Sequence, residues 1–568
     1  MHKNLTMLFN EIVDVYENVD STTKTLEKVS ILSEFLKKIP KEELKGVVLL
    51  LRGNIYPEHD SRELGLGAKL VVKAISQVSG FNSEEIEDKW KDLGDLGLVA
   101  EKLIVKKVQS TLFQDELTTG RVIKTLRKIV EQEGSGSVDR KIKMLSDLFS
   151  DANSKESKYL VRIVLGILRI GLGEGALRDS ISGAFNVSKE GVEYAYNLLN
   201  DFSEVASIAK ERGDSGLKEV GVCVGKGIKA MLAQKVSSIE EGFERVGGTA
   251  GFEYKYDGFR LQVHKDGDKI RLLTRSLEDV SAQFPELVKS LRESIKVDKA
   301  VIEGEAVGFD PETKKYVAFQ NISQRIKRKY DIEHTAERFP VELNLFDALY
   351  MDGETLINRP YRFRRELLEK NVKTEHKRIV LAKCLVTSDK NKAHAFYESA
   401  LKDGQEGLMI KNLDAPYKPG SRVGHMVKLK PVMESLDLVI VGAEWGTGKR
   451  ANWLSSFELA CRDVESGEFL GIGKMGTGVK EKDEEGISFA QLTEMLKDLI
   501  INSEGRIVKI KPKIVIEVAY EEIQRSPSYG SGFALRFPRL LRLREDRDPE
   551  GIDDLTRVRE LFESQRNR

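Results

Sequence analysis

Two periodicities divide the chain. From its first residues to about Ser215, apolar positions recur every three or four residues, as in Leu8, Ile12 and Val15, in Leu26, Val29, Leu32 and Leu36, and in Leu160, Ile163, Val164, Ile167 and Leu168. That is the spacing of amphipathic helices, so this stretch is predicted to be nearly all helix. Past Gly216 the texture turns glycine-rich and β-branched, and alternation with a period of two takes over. Glu253-Tyr254-Lys255-Tyr256-Asp257-Gly258 reads as a strand ending in a tight turn, and 259–264 continues the alternation. Asp266-Gly267-Asp268 then signals a hairpin before a return strand, Lys269 to Thr274. After Pro431 the pattern becomes short strands with glycine turns, at 438–441, 456–461 and 514–520, which predicts a small β-barrel. The stretch 553–568 reads as a charged helix closing the chain, a candidate latch of the barrel onto the middle unit. At 568 residues the chain exceeds what one core usually supports. Three units are expected: all-helical 1–215, α+β 216–432, and a β-barrel with a C-terminal helix, 433–568.

Two glycine-rich strings bear on phosphate binding. Gly134-Ser135-Gly136-Ser137 opens a helix, which suits either an anion at free backbone amides or an ordinary capped start. Gly221-Val222-Cys223-Val224-Gly225-Lys226-Gly227-Ile228, the expected linker and first strand of the second unit, is not a Walker loop. Three residues separate its glycines where four are needed, and Gly227 follows the lysine where Ser or Thr belongs.

Composition narrows the class. Lys and Arg total 91 and Asp and Glu 91, so any polyanion must be met by local basic patches. The three cysteines, Cys223, Cys384 and Cys461, are too far apart for a disulfide framework or a paired-cysteine zinc ribbon, and fit a reducing compartment. No secretory signal is read at the start, and apolar runs such as Val439-Ile440-Val441 are too short to span a bilayer. The expectation is a cytoplasmic protein with no membrane partner.

The chemistry centres on Lys255. Alternation puts Glu253, Lys255 and Asp257 on one strand face and Tyr254 and Tyr256 on the other. Further strings follow in a fixed order: Thr274-Arg275-Ser276, Glu303-Gly304-Glu305-Ala306-Val307, Leu345-Phe346-Asp347-Ala348, Glu406-Gly407-Leu408-Met409-Ile410-Lys411, Lys428-Leu429-Lys430, Arg536-Phe537-Pro538-Arg539 and Arg544-Glu545-Asp546-Arg547. This ordered set resembles the covalent nucleotidyltransferase superfamily. Its match is closest to ATP-dependent DNA ligases of the archaeal and eukaryotic replicative type, and runs over nearly the whole chain.

The resemblance implies a helical DNA-binding domain, a nucleotidyltransferase (adenylation) domain and a C-terminal OB-fold. It implies an enzyme that seals nicks in duplex DNA during replication, repair and recombination, using ATP and Mg²⁺ or Mn²⁺. Lys255 would attack the α-phosphate, hold AMP through a phosphoramidate bond and pass it to a 5′-phosphate, after which the 3′-hydroxyl displaces AMP. A free lysine amine titrates near ~10.4, so such a nucleophile calls for desolvation and nearby cations. Arg260, Arg275, Lys428, Lys430 and the metal are the cations on offer, and Glu253 and Asp257 should point at other partners.

By the same resemblance Glu253 reads the adenine edge, Phe346 and Met409 flank the base, and Glu305 meets the ribose and metal water. Glu406 contacts the metal, Lys428, Lys430, Arg260 and Arg422 serve the phosphates, and Arg275 is a further nucleotide-binding residue. Arg544 and Arg547 orient the departing pyrophosphate, with Arg547 standing where the family commonly has Lys. The string 229–233 lies beside the nucleotide, with Ala230 where proline is usual. DNA contacts fall to Arg169 and Gly171 in Arg169-Ile170-Gly171-Leu172-Gly173, to Arg536 and Arg539, and to Lys449 in a basic loop. Gln109, Leu112 and Phe113 resemble the segment by which related ligases hook onto the replication sliding clamp. The chain is expected to act as a monomer, nucleoid-associated in an archaeal cell.

Three other readings compete. An RNA ligase or mRNA-capping nucleotidyltransferase shares the lysine chemistry but not the long helical first unit. An NAD-dependent ligase would carry a zinc-binding cysteine set. A non-catalytic nucleic-acid binder has no use for Glu305, Glu406 and Lys430.

Overall fold

The computed structural model describes residues 7–60, 62–105, 116–317, 319–326, 330–431, 433–446 and 450–566. The clamp-like residues Gln109, Leu112 and Phe113, and Lys449, lie outside these.

Among the described residues, helices from Phe9–Asp20 to Phe202–Lys218 make up the first region. Phe9, Ile12, Tyr16, Leu32, Leu36, Leu50, Leu145, Leu160 and Leu199 pack into one core. Two of the expected stripe positions face solvent: Leu26, in the first turn of Thr25–Lys38, and Ile167. Helix Ser154–Val164 ends before Ile167, because Gly166 adopts φ +68 and the chain turns back, Ile167 N donating to the Arg162 carbonyl.

Next comes a region of two sheets. One has the order β1-β11-β10-β2-β9, built from β1 (Gln234–Val236), β2 (Ala250–Lys255), β9 (Cys384–Thr387), β10 (Gly407–Asn412) and β11 (Met426–Leu429). The other runs β4-β3-β5-β6-β7, with β8 (Ile379–Leu381) also on β6. Its strands are β3 (Phe259–Asp266), β4 (Lys269–Thr274), β5 (Lys299–Gly308), β6 (Val341–Met351) and β7 (Glu354–Thr355). Outer faces are sealed by helices. Phe252, Tyr254 and Ile410 pack with Phe243 and Ala393, while Leu261, Ile302 and Leu343 pack with Leu287 and Leu368. The inner faces enclose the cleft described below. The expected first strand at 221–228 is instead irregular. Side chains of β3 strap it down, His264 Nδ1 accepting from Gly225 N at 3.0 Å and Gln262 Oε1 from Ile228 N at 2.8 Å, so no ladder forms.

The last region is strand-rich and consistent with an OB-fold. β12 (Leu436–Trp445) pairs with β13 (Leu454–Arg462), β16 (Ile507–Ile510) and β17 (Val515–Ala519), with β14 (Phe469–Met475) and β15 (Ile500–Glu504) flanking. β20 (Arg539–Leu543) joins β17, and β18 (Glu522–Arg525) pairs with β19 (Phe533–Arg536). Register shifts in β12 and β13 bend the sheet around Leu438, Phe457, Leu459 and Phe489. The closing helix, Leu555–Arg566, buries Val558, Leu561 and Phe562 in this same core and reaches the connecting segment through an Arg557–Glu434 pair. It packs chiefly on its own domain. Among the described residues no helix is long and apolar enough to cross a membrane.

Candidate active site

The cleft follows from strand alternation. β2 presents Glu253 and Lys255, β10 presents Met409 and Lys411, and β11 presents Lys428, with Lys430 just past its end; the register sets Met409 opposite both Glu253 and Lys428. From the facing sheet come Arg260 and Gln262 of β3, opposite Glu305 and Glu303 of β5. Phe346 arrives differently. Gly304 is opposite Leu345 and Glu303 opposite Asp347, so Phe346 is the extra residue of a β-bulge, which turns its ring away from Leu345 and Ala348 in the core toward the cleft. There it lies 4.8 Å from the Lys411 ammonium and 5.3 Å from the Arg260 guanidinium.

Two glycines let the chain close around Lys255. A Cβ on Gly258 would sit 2.3 Å from the Ala306 carbonyl oxygen, and one on Gly407, at φ +134, would sit 2.2 Å from that of Leu429. The Lys-x-Asp-Gly turn and the Glu406-Gly407 corner are thereby pressed against neighbouring strands, and Glu406 N donates to the Lys255 carbonyl at 2.9 Å.

The Lys255 amine pairs with the Glu406 carboxylate, which also accepts Lys430 Nζ at 2.9 Å. Glu253 and Asp257 are directed elsewhere. Glu253 is buried, accepts from the Tyr361 hydroxyl and from Arg365 Nη1 at 3.3 Å, and forms an ion pair with Lys411 Nζ at 2.5 Å. Asp257 accepts from Phe319 N at 3.3 Å. Arg260 pairs with Glu303 and donates to the Tyr417 hydroxyl at 3.1 Å. Burial works against its charge, but the facing Glu303 carboxylate outweighs the burial and holds the guanidinium firmly charged.

The carboxylates are crowded. Burial pushes Glu305 up to about 7 against the pull of Lys255 and Arg260, with Glu406 and Asp257 adding to the rise. Asp257 is raised to about 6 by burial, then by Glu406 and Glu522. Glu406 is lowered in spite of burial, because Lys255 and Lys430 flank it. Lys428 is lowered by burial and by the cations Lys430 and Lys255. Oxygen donors whose mutual repulsion is only partly neutralised suit a hard divalent cation. Among the described residues no three Asp, Glu, His or Cys side chains form a metal cluster.

Other expected residues lie further out. Arg275 is exposed after β4, and Arg422 is exposed, its carbonyl accepting from Gln234 at 3.3 Å. Arg544 and Arg547 bind Asp437 within the C-terminal domain, at 2.6 and 2.8 Å, and are not brought to Lys255 in this arrangement. That domain reaches the cleft through Glu521 instead, 3.4 Å from Lys430 Nζ. Arg536 pairs with Glu522 at 3.1 Å, and Arg539 is exposed. In the helical region Arg169, at φ +57, donates to Gly94 O at 3.2 Å and approaches Asp95 at 3.3 Å, while Lys28 Nζ holds the Ile170 and Gly171 carbonyls at 2.6 and 3.2 Å. Tyr417, Glu303, Lys411, Tyr361, Arg365 and Glu521 were missed by sequence reasoning. Glu303 and Lys411 were legible as the same-face neighbours of Glu305 and Met409, two positions away; Glu521 carried no signal.

Three family models cover most of the chain: DNA ligase N terminus over residues 8–182, ATP dependent DNA ligase domain over 230–430, and ATP dependent DNA ligase C terminal region over 450–547. The chain belongs to the ATP-dependent DNA ligase family. Its relatives include the DNA ligase of Nanoarchaeum equitans, 48% identical with 99% of each chain covered, and that of Thermococcus onnurineus, 48% identical with 98% of each covered. The DNA ligase of Archaeoglobus fulgidus is 43% identical over 98% of this chain and 99% of its own. The solved structure of Pmar-Lig_PreS3 matches 94% of this chain and 99% of its own with a TM-score of 0.55 at 16% identity, a likeness of fold. Within this ligase the cleft between the two sheets gathers Lys255, Glu305, Phe346, Glu406, Met409, Lys428 and Lys430, while the strings around Arg275, Arg536 and Arg544 lie outside it.

Proposed function

We propose that this chain is an ATP-dependent DNA ligase that seals nicks through a lysyl-AMP intermediate on Lys255, with a helical DNA-binding domain at 1–215, an adenylation domain at 216–432 and an OB-fold domain at 433–568. The observation that carries the reading is the convergence of Lys255, Glu305, Phe346, Glu406, Met409, Lys428 and Lys430 on one cleft from five separate strings.

Lys255 Nζ forms a bond to the α-phosphorus, the α–β phosphoanhydride breaks, and pyrophosphate leaves while the amine gives up a proton. Lys428 and Lys430 face the developing charge on the α-phosphate. Phe346 and Met409 provide a slot for the base, with Glu253 at its end paired with Lys411 and Arg365. A 5′-phosphate oxygen at the nick then takes AMP from the lysine, and the 3′-hydroxyl displaces AMP to form the phosphodiester. Glu305 and Glu406 would hold Mg²⁺, which supplies Lewis-acid neutralisation of the phosphates. To hold the ion, Glu406 would have to give up its pairs with Lys255 and Lys430. Arg544 and Arg547 approach the pyrophosphate only after the C-terminal domain rotates about the segment near Pro431, a step that also withdraws Glu521 from Lys430. Arg169, Gly171, Arg536, Arg539 and Lys449 contact DNA, and Gln109, Leu112 and Phe113 engage a sliding clamp, the chain itself acting as a monomer in the cytoplasm.

The test is incubation of wild type and Lys255→Ala with α-labelled ATP, GTP and NAD in Mg²⁺, followed by a chase with nicked duplex. An AMP adduct from ATP, absent in the variant and discharged by the nick with sealing, is the expected result. A GMP adduct moves the protein to the capping class, and no adduct removes the proposal's centre.

A further inference from the structure

The helical region meets the adenylation domain at a point that leads straight into the cleft. Asn197, near the end of helix Lys189–Leu199, is only 7% exposed. Its side-chain amide donates to the Pro419 carbonyl at 2.9 Å, and its backbone carbonyl accepts from Lys229 N at 2.9 Å, so the side chain holds 417–421 and the backbone holds 229–232. The next residue of the loop, Gly420, has φ +69, and a Cβ there would lie 2.7 Å from the Asn197 side chain, so the loop is laid directly on the amide. Gly420 N in turn donates to the Lys229 carbonyl at 3.1 Å, and Leu232 N to the Ser421 carbonyl at 2.9 Å. Asn197 is thus wedged between two segments of the adenylation domain, 229–232 and 417–421, and bonded to both.

Those same two segments seat Arg260. Met231 N donates to the Tyr417 hydroxyl at 2.9 Å, Arg260 Nη2 reaches that hydroxyl at 3.1 Å, and Arg260 Nη1 reaches the Met231 carbonyl at 3.4 Å. Arg260 carries the charge beside Phe346 and Glu303. Leu198, adjacent to the wedge, is buried in one apolar cluster with Met231, Tyr417 and Met426, against which Met409 packs. The connection from the helical region to the wall of the base slot is therefore continuous: Asn197, then Pro419 and Lys229, then Tyr417 and Met231, then Arg260 and Phe346.

We infer that Asn197, a residue of the DNA-binding domain, is a positioning residue for ATP, setting Arg260 and the base slot through the 417–421 loop. The inference rests on the ligase reading and adds that nucleotide affinity is built in part by a domain that does not touch the nucleotide. A buried amide that bonds across a domain joint is replaced at the cost of an unpaired carbonyl, so the segments it holds lose their fixed spacing.

The experiment uses the full chain and measures ATP dependence of self-adenylation without DNA, nicked-duplex binding, and thermal midpoint, for wild type, Asn197→Ala, Tyr417→Phe and the double variant. Asn197→Ala is expected to raise the ATP KM about tenfold, the scale of one buried hydrogen bond, while the single-turnover rate at saturation and nick binding stay within about twofold. In the Tyr417→Phe background the same change should raise KM by less than about threefold, since the path is already cut. A lowered midpoint with an unchanged ATP KM assigns Asn197 to the domain joint alone and overturns the inference, as does a fully additive double variant. Should Asn197→Ala not fold, an unchanged ATP KM in Tyr417→Phe overturns it as well. A wild-type chain that forms no adduct defeats the ligase reading instead, which the variants' ratio to wild type cannot imitate.

Discussion

Glu305→Gln offers a test that needs no DNA. In the cleft the Glu305 carboxyl is pushed up to about 7 from an ordinary 4.5, by burial first, against Lys255 and Arg260, with Glu406 and Asp257 adding to the rise. A carboxyl whose folded value is raised favours the folded state while protonated. Below pH 4.5 both states hold the proton and nothing is lost. From there to about 7 the unfolded chain ionises ahead of the folded one, and stability drains away as pH rises. At ~1.4 kcal/mol per pH unit the gap amounts to about 3 kcal/mol, complete above neutrality. Glutamine keeps the shape and removes the ionisation. The assay is urea unfolding of wild type and Glu305→Gln from pH 4 to 9, taking the difference so that other groups cancel. The variant should gain on wild type as pH rises through 5–7 and stay ahead by about 2–3 kcal/mol at pH 8. Saturating ATP and Mg²⁺ should narrow that lead, because the ion is better held by the carboxylate, while adenylation falls in the variant. Parallel curves across the whole range would refute the crowded-carboxylate account.

Other consequences can be measured directly. Asp347→Ala strands Arg364, a guanidinium that donates to both Asp347 oxygens at 2.7 and 2.9 Å and is almost wholly buried, so unfolding stability should drop by about 3–5 kcal/mol; a loss under 1 kcal/mol would show that the pair is dispensable. Gly258→Ala drives a methyl against the Ala306 carbonyl and should cost about 1–3 kcal/mol and slow self-adenylation, seen by unfolding and labelled-ATP assays; wild-type values in both would mean that the turn relaxes freely. Glu521→Ala should leave stability within about 1 kcal/mol, as the pair with Lys430 is half-exposed, but lower the KM for ATP because phosphate no longer competes with a carboxylate for Lys430. An unchanged KM would separate that contact from nucleotide binding.

Period alone announced the helical first region, the hairpin of β3 and β4 and the strand-rich end, since helix and strand patterning is local and each element buries one face. The ordered strings also named most of the cleft, because alternation along β2, β10 and β11 makes same-face neighbours readable two residues apart. Beyond that, only folding in three dimensions could choose. Phe346 turns toward the cleft because β6 holds one residue more than β5 can pair, a mismatch that neither strand contains by itself. Lys255 meets Glu406, 151 positions away, because β2 and β10 are paired, and long-range pairing leaves no trace in local spacing. The segment 221–228 looked like a strand, yet His264 and Gln262 took its amides first. Arg544 and Arg547 were read as nucleotide ligands, but in this arrangement Asp437 offers a nearer carboxylate. Asn197 read as one more polar residue near a helix end; the approach of Pro419 and Gly420 from the nucleotidyltransferase domain is what makes its amide a joint, since a hydrogen bond acquires its partner only when the chain has closed.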